Sequence, residues 1–258
     1  MMRNRKFLSA FCSVVAACLC STPAKATLVI IKETAEEVWV AADSRAHINR
    51  GTKVSFAEAQ KIFELDNSCV FASTGLAGNQ TGKIVAPDYA RRTDSSTKIS
   101  PDERAHEYAR GFSAPLKATL ENMRLKSPNE FSNFFLNKEA VTAMFIDYDK
   151  KPRFGVVRFY CREKSNGDLV IDTEYPTPPT NFPAISFFGA TEGATKAVME
   201  GGRAFGTADS ETQIQTMLDR QAKETPMWVG PPYLMLTIDA TGVHWKHKPE
   251  LHTTEISQ

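Results

Sequence analysis

Two apolar runs joined by a short polar segment constrain the fold of this chain more than any other feature. The runs are TLVIIKE (27–33) and VWVAADS (38–44), and TAEE lies between them. Runs rich in β-branched residues on either side of a polar turn predict an antiparallel hairpin. Residue numbers paired across this turn sum to 70 or 71, so Thr27 is expected opposite Asp43, with Cβ atoms about 5 Å apart. A hydroxyl and a carboxylate would then share one end of a sheet.

A second hairpin is predicted directly after the first. KIFEL (61–65) and CVFASTG (69–75) flank the turn-forming tripeptide DNS. Pairing across that turn places Lys61 beside a position between Ser73 and Gly75. The hairpin therefore brings a lysine to a strand end that contains glycine.

The rest of the chain alternates between strand groups and helices. A serine N-cap and a proline at the first helical position predict a long helix from Ser100 to about residue 126. Three strands follow within 140–176, then helices over 191–202 and 209–224, and a final hairpin that turns at 240–242. This order predicts an α+β fold, with a four-layer αββα sandwich of two antiparallel sheets as the preferred arrangement. Other α+β arrangements stay open.

Residues 1–26 have the three parts of a secretion signal in the expected order. Arg3, Arg5 and Lys6 precede the apolar run FLSAFCSVVAACLC, and the segment ends in Ala24-Lys25-Ala26. Signal peptidases cut after such a small-x-small pattern, and the apolar run is shorter than the roughly 20 residues of a membrane span. The sequence predicts a secreted or periplasmic protein without a transmembrane span, whose mature chain begins at Thr27.

Two alternatives to this cleavage stay open. The segment could remain uncleaved as a short anchor. VAAC (15–18) also resembles a lipoprotein processing site, which would make a lipidated Cys18 the first residue. In either case Thr27 keeps a peptide bond at its nitrogen, and the chain would be a non-catalytic envelope protein used for binding or assembly.

The composition of the mature chain narrows the class of protein. Removal of the signal takes away four basic residues, which leaves 27 basic against 30 acidic residues. That balance argues against a nucleic-acid partner. The remaining length suits one domain over 27–248 with a flexible tail over 249–258. The five histidines show no metal-ligand spacing and no phosphate-binding glycine loop is present, so we expect neither a metal nor a cofactor.

Two of the five cysteines, Cys69 and Cys161, remain after the signal is removed. Two cysteines are too few for a fold that depends on disulfides. They could form one bridge in an oxidising compartment. Two separately buried thiols are the preferred interpretation.

An N-terminal threonine suits the neighbours that the hairpins predict. A threonine hydroxyl is a weak nucleophile that needs a base, and the α-amine of the same residue can serve. An α-amine has a pKa of about 7.8 against about 10.4 for a lysine, so the amine is the better proton acceptor at neutral pH. Lys61 would be a fixed positive charge that Asp43 holds in place, important for rate and of little weight for stability. The Gly75 N–H could donate to an oxyanion.

These residues resemble the opening of a proteasome β-subunit and of the related bacterial heat-shock peptidase. The similar segments are TLVIIKETAEEVWVAADSRA, AQKIFEL and FASTGLAG, within residues 27–78. The resemblance to these N-terminal-nucleophile (Ntn) hydrolases implies the αββα fold and threonine-dependent hydrolysis of peptide or other amide bonds. By position it implies that Thr27 is the nucleophile and that Asp43, Arg45, Lys61 and Gly75 complete the catalytic group.

The resemblance carries further implications for binding. Ala46, Ser73 and Ala77 fall where the family lines its first specificity pocket, which would make that pocket small and partly polar. Proteasome relatives assemble into rings, so self-association is implied.

The chain departs from the family in two places. FFGATEGA (187–194) resembles the family's Gly-Ser-Gly turn but lacks the serine. KETPMWVGPPYLML (223–236) stands where the family has Asp-x-x-Ser-Gly, with neither the aspartate nor the serine in register. Glu224 is a candidate replacement for that aspartate.

Overall fold

The computed structural model of the chain describes residues 27–50, 53–76, 86–93, 99–177 and 184–248, and residues 46–50 and 53–58 by their backbone only. The predicted signal segment and the predicted flexible tail lie outside these ranges. The described residues form twelve strands and five helices in this order: β1 Leu28–Glu33, β2 Val38–Asp43, β3 Arg45–Arg50, β4 Lys53–Glu58, β5 Ile62–Asp66, β6 Cys69–Gly75, α1 Ala86–Arg92, α2 Pro101–Lys126, α3 Pro128–Phe134, β7 Lys138–Asp149, β8 Lys151–Glu163, β9 Leu169–Glu174, β10 Ala184–Gly189, α4 Glu192–Thr207, α5 Ser210–Glu224, β11 Tyr233–Asp239 and β12 Gly242–His247.

Ten of the strands form two antiparallel sheets of five. Sheet I has the order β10-β1-β2-β11-β12, and sheet II has the order β5-β6-β7-β8-β9. β3 and β4 pair with each other in a separate two-stranded sheet. The fold is therefore α+β, as the order of predicted elements indicates.

Three apolar clusters show how the sheets and helices pack. One cluster joins side chains of sheet I to side chains of sheet II, for example Val40 and Ala42 with Ala72 and Met144. A second cluster lies between sheet II and helices α1, α2 and α3. The third lies between sheet I and helices α4 and α5. Each sheet thus buries both faces, an arrangement compatible with a sandwich whose outer faces carry helices.

The first hairpin is buried more completely than an amphipathic pair of strands would be. All residues of β1 and β2 are buried, because alternate side chains face sheet II and the helices. This explains why both strands are near-continuous apolar runs and do not alternate with polar residues.

The predicted long helix is confirmed in detail. Ser100 is the N-cap of α2, and its hydroxyl accepts a hydrogen bond from the Glu103 N–H. The Glu103 carboxylate accepts in return from the Ser100 N–H at 2.8 Å, which completes a capping box. The helix predicted over 209–224 is α5, and Asp209 is its N-cap, accepting from the Thr212 N–H at 2.8 Å.

Several elements differ from the sequence-based prediction. The segment 47–59, between the two predicted hairpins, was assigned no strand from the sequence, and it contributes most of β3 and β4. β10 and the short helices α1 and α3 were not predicted. The helix predicted over 191–202 is interrupted at Gly202, whose φ is +52°, and α4 continues beyond this kink to Thr207. β10 is a strand because it completes the edge of sheet I beside β1, with Leu28 opposite Gly189. That pairing joins residues far apart in sequence, so local patterns carry little signal for it.

Cys69 and Cys161 are both buried, and no disulfide joins them. The preferred interpretation of two separate thiols is therefore confirmed, and the bridge is not formed. Burial raises the pKa of the Cys161 thiol to about 11.

Among the described helices, none combines the length and the apolar character needed to cross a bilayer.

Glu33 at the end of β1 should make the stability of the fold depend on pH. The residue is 2% exposed, and burial raises the pKa of its carboxyl to about 7. A carboxyl with a raised pKa in the folded state stabilises the fold while protonated, and that stability is lost as the pH rises from about 4.5 to about 7. We expect Glu33→Gln to unfold like the wild type at pH 5 and to gain up to about 3 kcal/mol over it at pH 8.5.

Urea unfolding at the two pH values measures this difference. Glu36→Gln, at an exposed position of the same turn, is the matched control and should keep the pH dependence of the wild type. An equal loss of stability in the wild type and in Glu33→Gln between pH 5 and pH 8.5 would contradict the prediction.

Candidate active site

The first hairpin brings Asp43 to the residue that follows Thr27. In the observed register Val29 pairs with Ala42, so paired numbers sum to 71 and Asp43 lies opposite Leu28. The Leu28 N–H donates to Asp43 Oδ1 at 2.8 Å. The prediction that Asp43 stands directly opposite Thr27 is therefore wrong by one position. The carboxylate nevertheless binds the backbone immediately beside Thr27.

Lys61 forms a buried ion pair with Asp43. Lys61 Nζ lies 2.8 Å from Asp43 Oδ2, and the two side chains are 7% and 0% exposed. The ammonium also donates to the Arg45 carbonyl oxygen at 2.7 Å. The Arg45 N–H donates to Asp43 Oδ2 at 3.1 Å. The predicted contact between Asp43 and Lys61 is present, and the backbone of Arg45 closes the cluster.

Burial has the largest influence on the protonation of both partners. It lowers the pKa of Lys61 and raises the pKa of Asp43, while the attraction between the two charges opposes both shifts. A lysine with a lowered pKa in a cluster of this kind is easier to deprotonate than a solvated one. Perturbed ionisable groups of this type are frequent at catalytic sites, and they also occur in structural ion pairs.

The second hairpin positions Ser73 and Gly75 beside Lys61. The Ser73 N–H donates to the Lys61 carbonyl oxygen at 3.3 Å, so these two residues are the paired ones within the predicted range. The Leu76 N–H donates to the Ala140 carbonyl oxygen at 2.9 Å. Successive N–H groups of a strand point to opposite sides. The Gly75 N–H therefore points away from β7, to the side on which Lys61 lies.

A glycine is required at position 75. Its φ is +82°, and a Cβ there would stand 2.2 Å from the Ala140 carbonyl oxygen. Both observations exclude a side chain without a shift of the backbone. The predicted oxyanion donor thus lies in a strand end that only glycine forms easily.

The end of β10 holds the backbone of Thr27. The Ala190 N–H donates to the Thr27 carbonyl oxygen at 2.8 Å. Gly189 has a φ of +88°, and a Cβ there would stand 1.9 Å from that same oxygen. Thr27 is 5% exposed. The FFGA segment therefore lies against the candidate nucleophile, and the position with the N–H bond to Thr27 is an alanine.

Replacing Gly189 should displace Thr27. Gly189→Ala introduces a methyl group into the space of the Thr27 carbonyl, so we expect a loss of stability of about 3 kcal/mol or more, from the clash together with the positive φ. Gly167→Ala is a matched control, because Gly167 has a φ of +83° with nothing within 4 Å of its Cβ position. It should cost about 1 kcal/mol. Thermal unfolding of both variants measures the difference, and equal losses would show that Gly189 does not crowd Thr27.

Arg45 connects the ion pair to the segment that precedes β11. Its guanidinium donates to the Pro226 carbonyl oxygen. A Cβ at Gly230 would stand 2.4 Å from the Arg45 guanidinium carbon, so the side chain lies directly over that glycine. The Ser44 N–H donates to the Pro232 carbonyl oxygen at 3.1 Å. The segment that departs from the family pattern is therefore attached to the candidate site through Arg45 and Ser44.

Glu224 is engaged away from this cluster. Its carboxylate lies 3.1 Å from Lys196 Nζ and 3.3 Å from Arg220 Nε, on helices α4 and α5. These ion pairs hold the pKa of Glu224 below its usual range, with Lys196 the largest influence. The carboxylate belongs to a surface network between two helices.

The three predicted pocket residues are described to different extents. Ser73 is 1% exposed, and its hydroxyl has no hydrogen-bond partner within the described part of the chain. Ala46 pairs with Ala57 in the β3–β4 ladder, and its backbone alone is described. Ala77 lies outside the described residues.

The ranges described contain no group of three or more His, Cys, Asp or Glu side chains that could hold a metal ion.

Three residues that hold the site from the side of sheet I were not predicted from the sequence. Gly189 and Gly230 both approach site residues too closely for a Cβ, and Pro226 provides the carbonyl that Arg45 binds. A single glycine at a strand end is the available signal at position 189, since such glycines mark a close approach of another backbone. Pro226 carries no such signal, because any residue has a carbonyl.

No protein-family model matches the chain, and no curated protein matches it.

Proposed function

We propose that the mature protein is an N-terminal threonine hydrolase that cleaves peptide or other amide bonds. The observation that carries the proposal is the buried Asp43–Lys61 ion pair, which is tied by the Leu28 N–H to the residue next to Thr27. A buried pair of charges is expensive to desolvate and is weak as a means of stabilising a fold. Its place beside a candidate nucleophile supports a catalytic role.

Each step of the proposed reaction uses a group in this cluster. Removal of residues 1–26 frees the Thr27 α-amine, which takes the proton of the Thr27 hydroxyl as the oxygen attacks the carbonyl carbon of the substrate. The Gly75 N–H donates to the oxygen that becomes negative, an interaction worth about 3–4 kcal/mol in the transition state. The proton passes to the departing amine when the C–N bond breaks, which leaves an ester on Thr27. Water then hydrolyses this ester and restores the hydroxyl.

Lys61 supplies positive charge near the reacting oxygen. Asp43 and the Arg45 carbonyl hold the ammonium, so it is positioned before the substrate binds. A fixed charge costs no reorganisation during the reaction, which is the basis of electrostatic catalysis. Arg45 acts as a positioning residue through its carbonyl and amide groups.

The fold and the location are part of the same proposal. The packing of helices on both outer faces of two antiparallel sheets supports the four-layer αββα sandwich of Ntn hydrolases over residues 27–248. Exposure of Thr27 by signal cleavage implies a secreted or periplasmic protein. Association of several copies is implied by the resemblance to proteasome β-subunits.

One observation favours a second candidate function. Ala190 donates its N–H to Thr27 but offers no hydroxyl, where the family resemblance implies a serine that supports the nucleophile. A chain of this fold without hydrolysis, tethered at Cys18 or still attached to residues before Thr27, would serve in binding or assembly.

N-terminal sequencing and intact mass of the exported protein distinguish the two functions. We expect a chain that begins at Thr27 with a free amine, and treatment with a β-lactone should add the mass of one lactone to Thr27. A chain that begins at a lipidated Cys18, or that retains residues before Thr27, would overturn the hydrolase proposal. A free Thr27 that no β-lactone acylates would favour the non-catalytic function.

A further inference from the structure

Trp228 and Phe134 form an aromatic contact between opposite outer layers of the fold. Their ring centroids are 6.0 Å apart and their planes meet at 64°, an edge-to-face arrangement. Trp228 packs against the cluster between sheet I and its helices, whereas Phe134 packs against the cluster between sheet II and its helices. Both sheets lie between these two clusters. The two rings therefore meet by reaching around the periphery of the sandwich.

The chain connections show which part of the periphery they cross. Trp228 lies shortly before β11, whose first residue Tyr233 pairs with Asp43. Phe134 lies shortly before β7, and Ala140 near the start of β7 binds the strand end at Gly75 through the Leu76 N–H. The contact therefore crosses the end of the sandwich at which Asp43 and Gly75 lie. Thr27 lies at the same end, since its neighbour Leu28 binds Asp43.

The Trp228 side of this contact is fixed to the candidate site. The Arg45 guanidinium binds the Pro226 carbonyl and covers Gly230, on either side of Trp228 in the chain. The Arg45 carbonyl in turn accepts from Lys61 Nζ at 2.7 Å. The position of the Trp228 segment is therefore set by the same residue that holds the Lys61 ammonium.

We infer that Trp228 and Phe134 are specificity-determining residues that restrict access to Thr27 by size. Their contact spans the strand-end side of the site, where the Trp228 segment is held by Arg45. A substrate that approaches from this end has to fit beside the two rings. Amides with a small or slender leaving group are accepted, and amides with a bulky fused-ring leaving group are disfavoured. The catalytic part of this inference rests on the proposed function, whereas the restriction of access does not.

Access to position 27 can be measured without catalysis. Thr27→Cys in the mature chain places a thiol at the site, and the native Cys69 and Cys161 are buried. The rate of its reaction with methyl methanethiosulfonate, a small reagent, is compared with its rate of reaction with N-(1-pyrenyl)maleimide, a bulky one. We expect Trp228→Ala and Phe134→Ala each to raise the bulky-to-small rate ratio about tenfold, the size of a steric discrimination in a pocket.

A control variant and a double variant complete the thiol-labelling experiment. Trp245→Ala removes a tryptophan from β12, which packs against the inter-sheet cluster, and should leave the ratio unchanged. The two substitutions act on one contact, so the double variant should show little more than either single variant. If one single variant does not fold, the other still tests the inference. An unchanged ratio in the folded variants, or an equal rise with Trp245→Ala, overturns it.

Turnover by the chain with Thr27 intact then separates the inference from the proposed function. Two amides of one peptide are compared, a methylamide and an aminomethylcoumarin amide. Trp228→Ala should raise kcat/KM for the coumarin amide about tenfold relative to the methylamide. A raised bulky-to-small rate ratio for the thiol in Thr27→Cys, with no turnover of either amide, would retain the restriction of access and overturn the proposal of a hydrolase. Turnover of both amides with unchanged ratios would retain the hydrolase and overturn the role of the two rings.

Discussion

Thr27→Ala should abolish hydrolysis while the protein still folds. The substitution removes the attacking oxygen, and loss of a nucleophile costs about 10⁴-fold or more in kcat. The carbonyl of residue 27 still accepts from the Ala190 N–H, and the amide of Leu28 still donates to Asp43. We therefore expect little change in melting temperature. Activity is measured as the release of methylamine from a panel of peptidyl methylamides, and folding by circular dichroism and thermal unfolding.

Two variants control for this result. Thr27→Ser keeps a hydroxyl and should retain measurable turnover and β-lactone labelling. Thr34→Ala removes a hydroxyl that accepts from the Glu37 N–H at 3.1 Å in the first turn, so it should lower stability and leave the reaction intact. Turnover by Thr27→Ala at the wild-type rate would exclude Thr27 as the nucleophile, whatever the mature N-terminus is.

Lys61→Ala should lower both the rate and the stability by large amounts. We expect a loss of about 10³-fold in kcat/KM, because the positive charge that favours the threonine oxyanion is gone. We also expect a loss of about 3–5 kcal/mol in the free energy of unfolding, because Asp43 would remain as a buried charge without its cationic partner. The sequence-based expectation that Lys61 matters little for stability is therefore revised. The large loss of stability is caused by the burial of the ion pair, which the sequence did not show.

A double variant separates the two effects. Asp43→Asn with Lys61→Met removes both charges together, so it should recover most of the stability that Lys61→Ala loses, while turnover stays absent. Lys32→Met is the matched control, since Lys32 is also a buried lysine but binds Ser210 and Gln213 on α5. It should change stability without loss of turnover. Full activity in the double variant would make the ion pair a structural feature only.

The elements with strong local signals were predicted well from the sequence. The turn at TAEE, the serine N-cap at Ser100 and the hairpin before residue 248 all depend on residues close together in the chain. β10 and the β3–β4 pair were missed. β10 exists because β1 offers a sheet edge, and that edge is distant in sequence.

In the candidate site too, the contacts within each hairpin could be predicted from the sequence, and the contacts between hairpins could not be derived from local patterns. Pairing across two short turns was enough to expect Asp43 near Thr27 and Lys61 near Ser73, to within one residue. Such pairing can be expected from the sequence because the turn type and the loop length set the register of a hairpin, and the first hairpin was still misplaced by one residue. The contact between the two hairpins follows from the packing of sheet I on sheet II, and before the structure only the resemblance to a known family implied it.

The sequence by itself determined the α+β class, the local hairpins, the long capped helix and the set of residues that suits threonine chemistry. Turn chemistry, capping and periodicity act over a few residues, so they can be recognised in the amino-acid sequence. Tertiary structure alone decided the burial of the Asp43–Lys61 pair, the position of Gly189 against Thr27 and the contact of Trp228 with Phe134. Each of these joins segments that meet only when two sheets and their helices pack together, because desolvation and close contact depend on every neighbour in space.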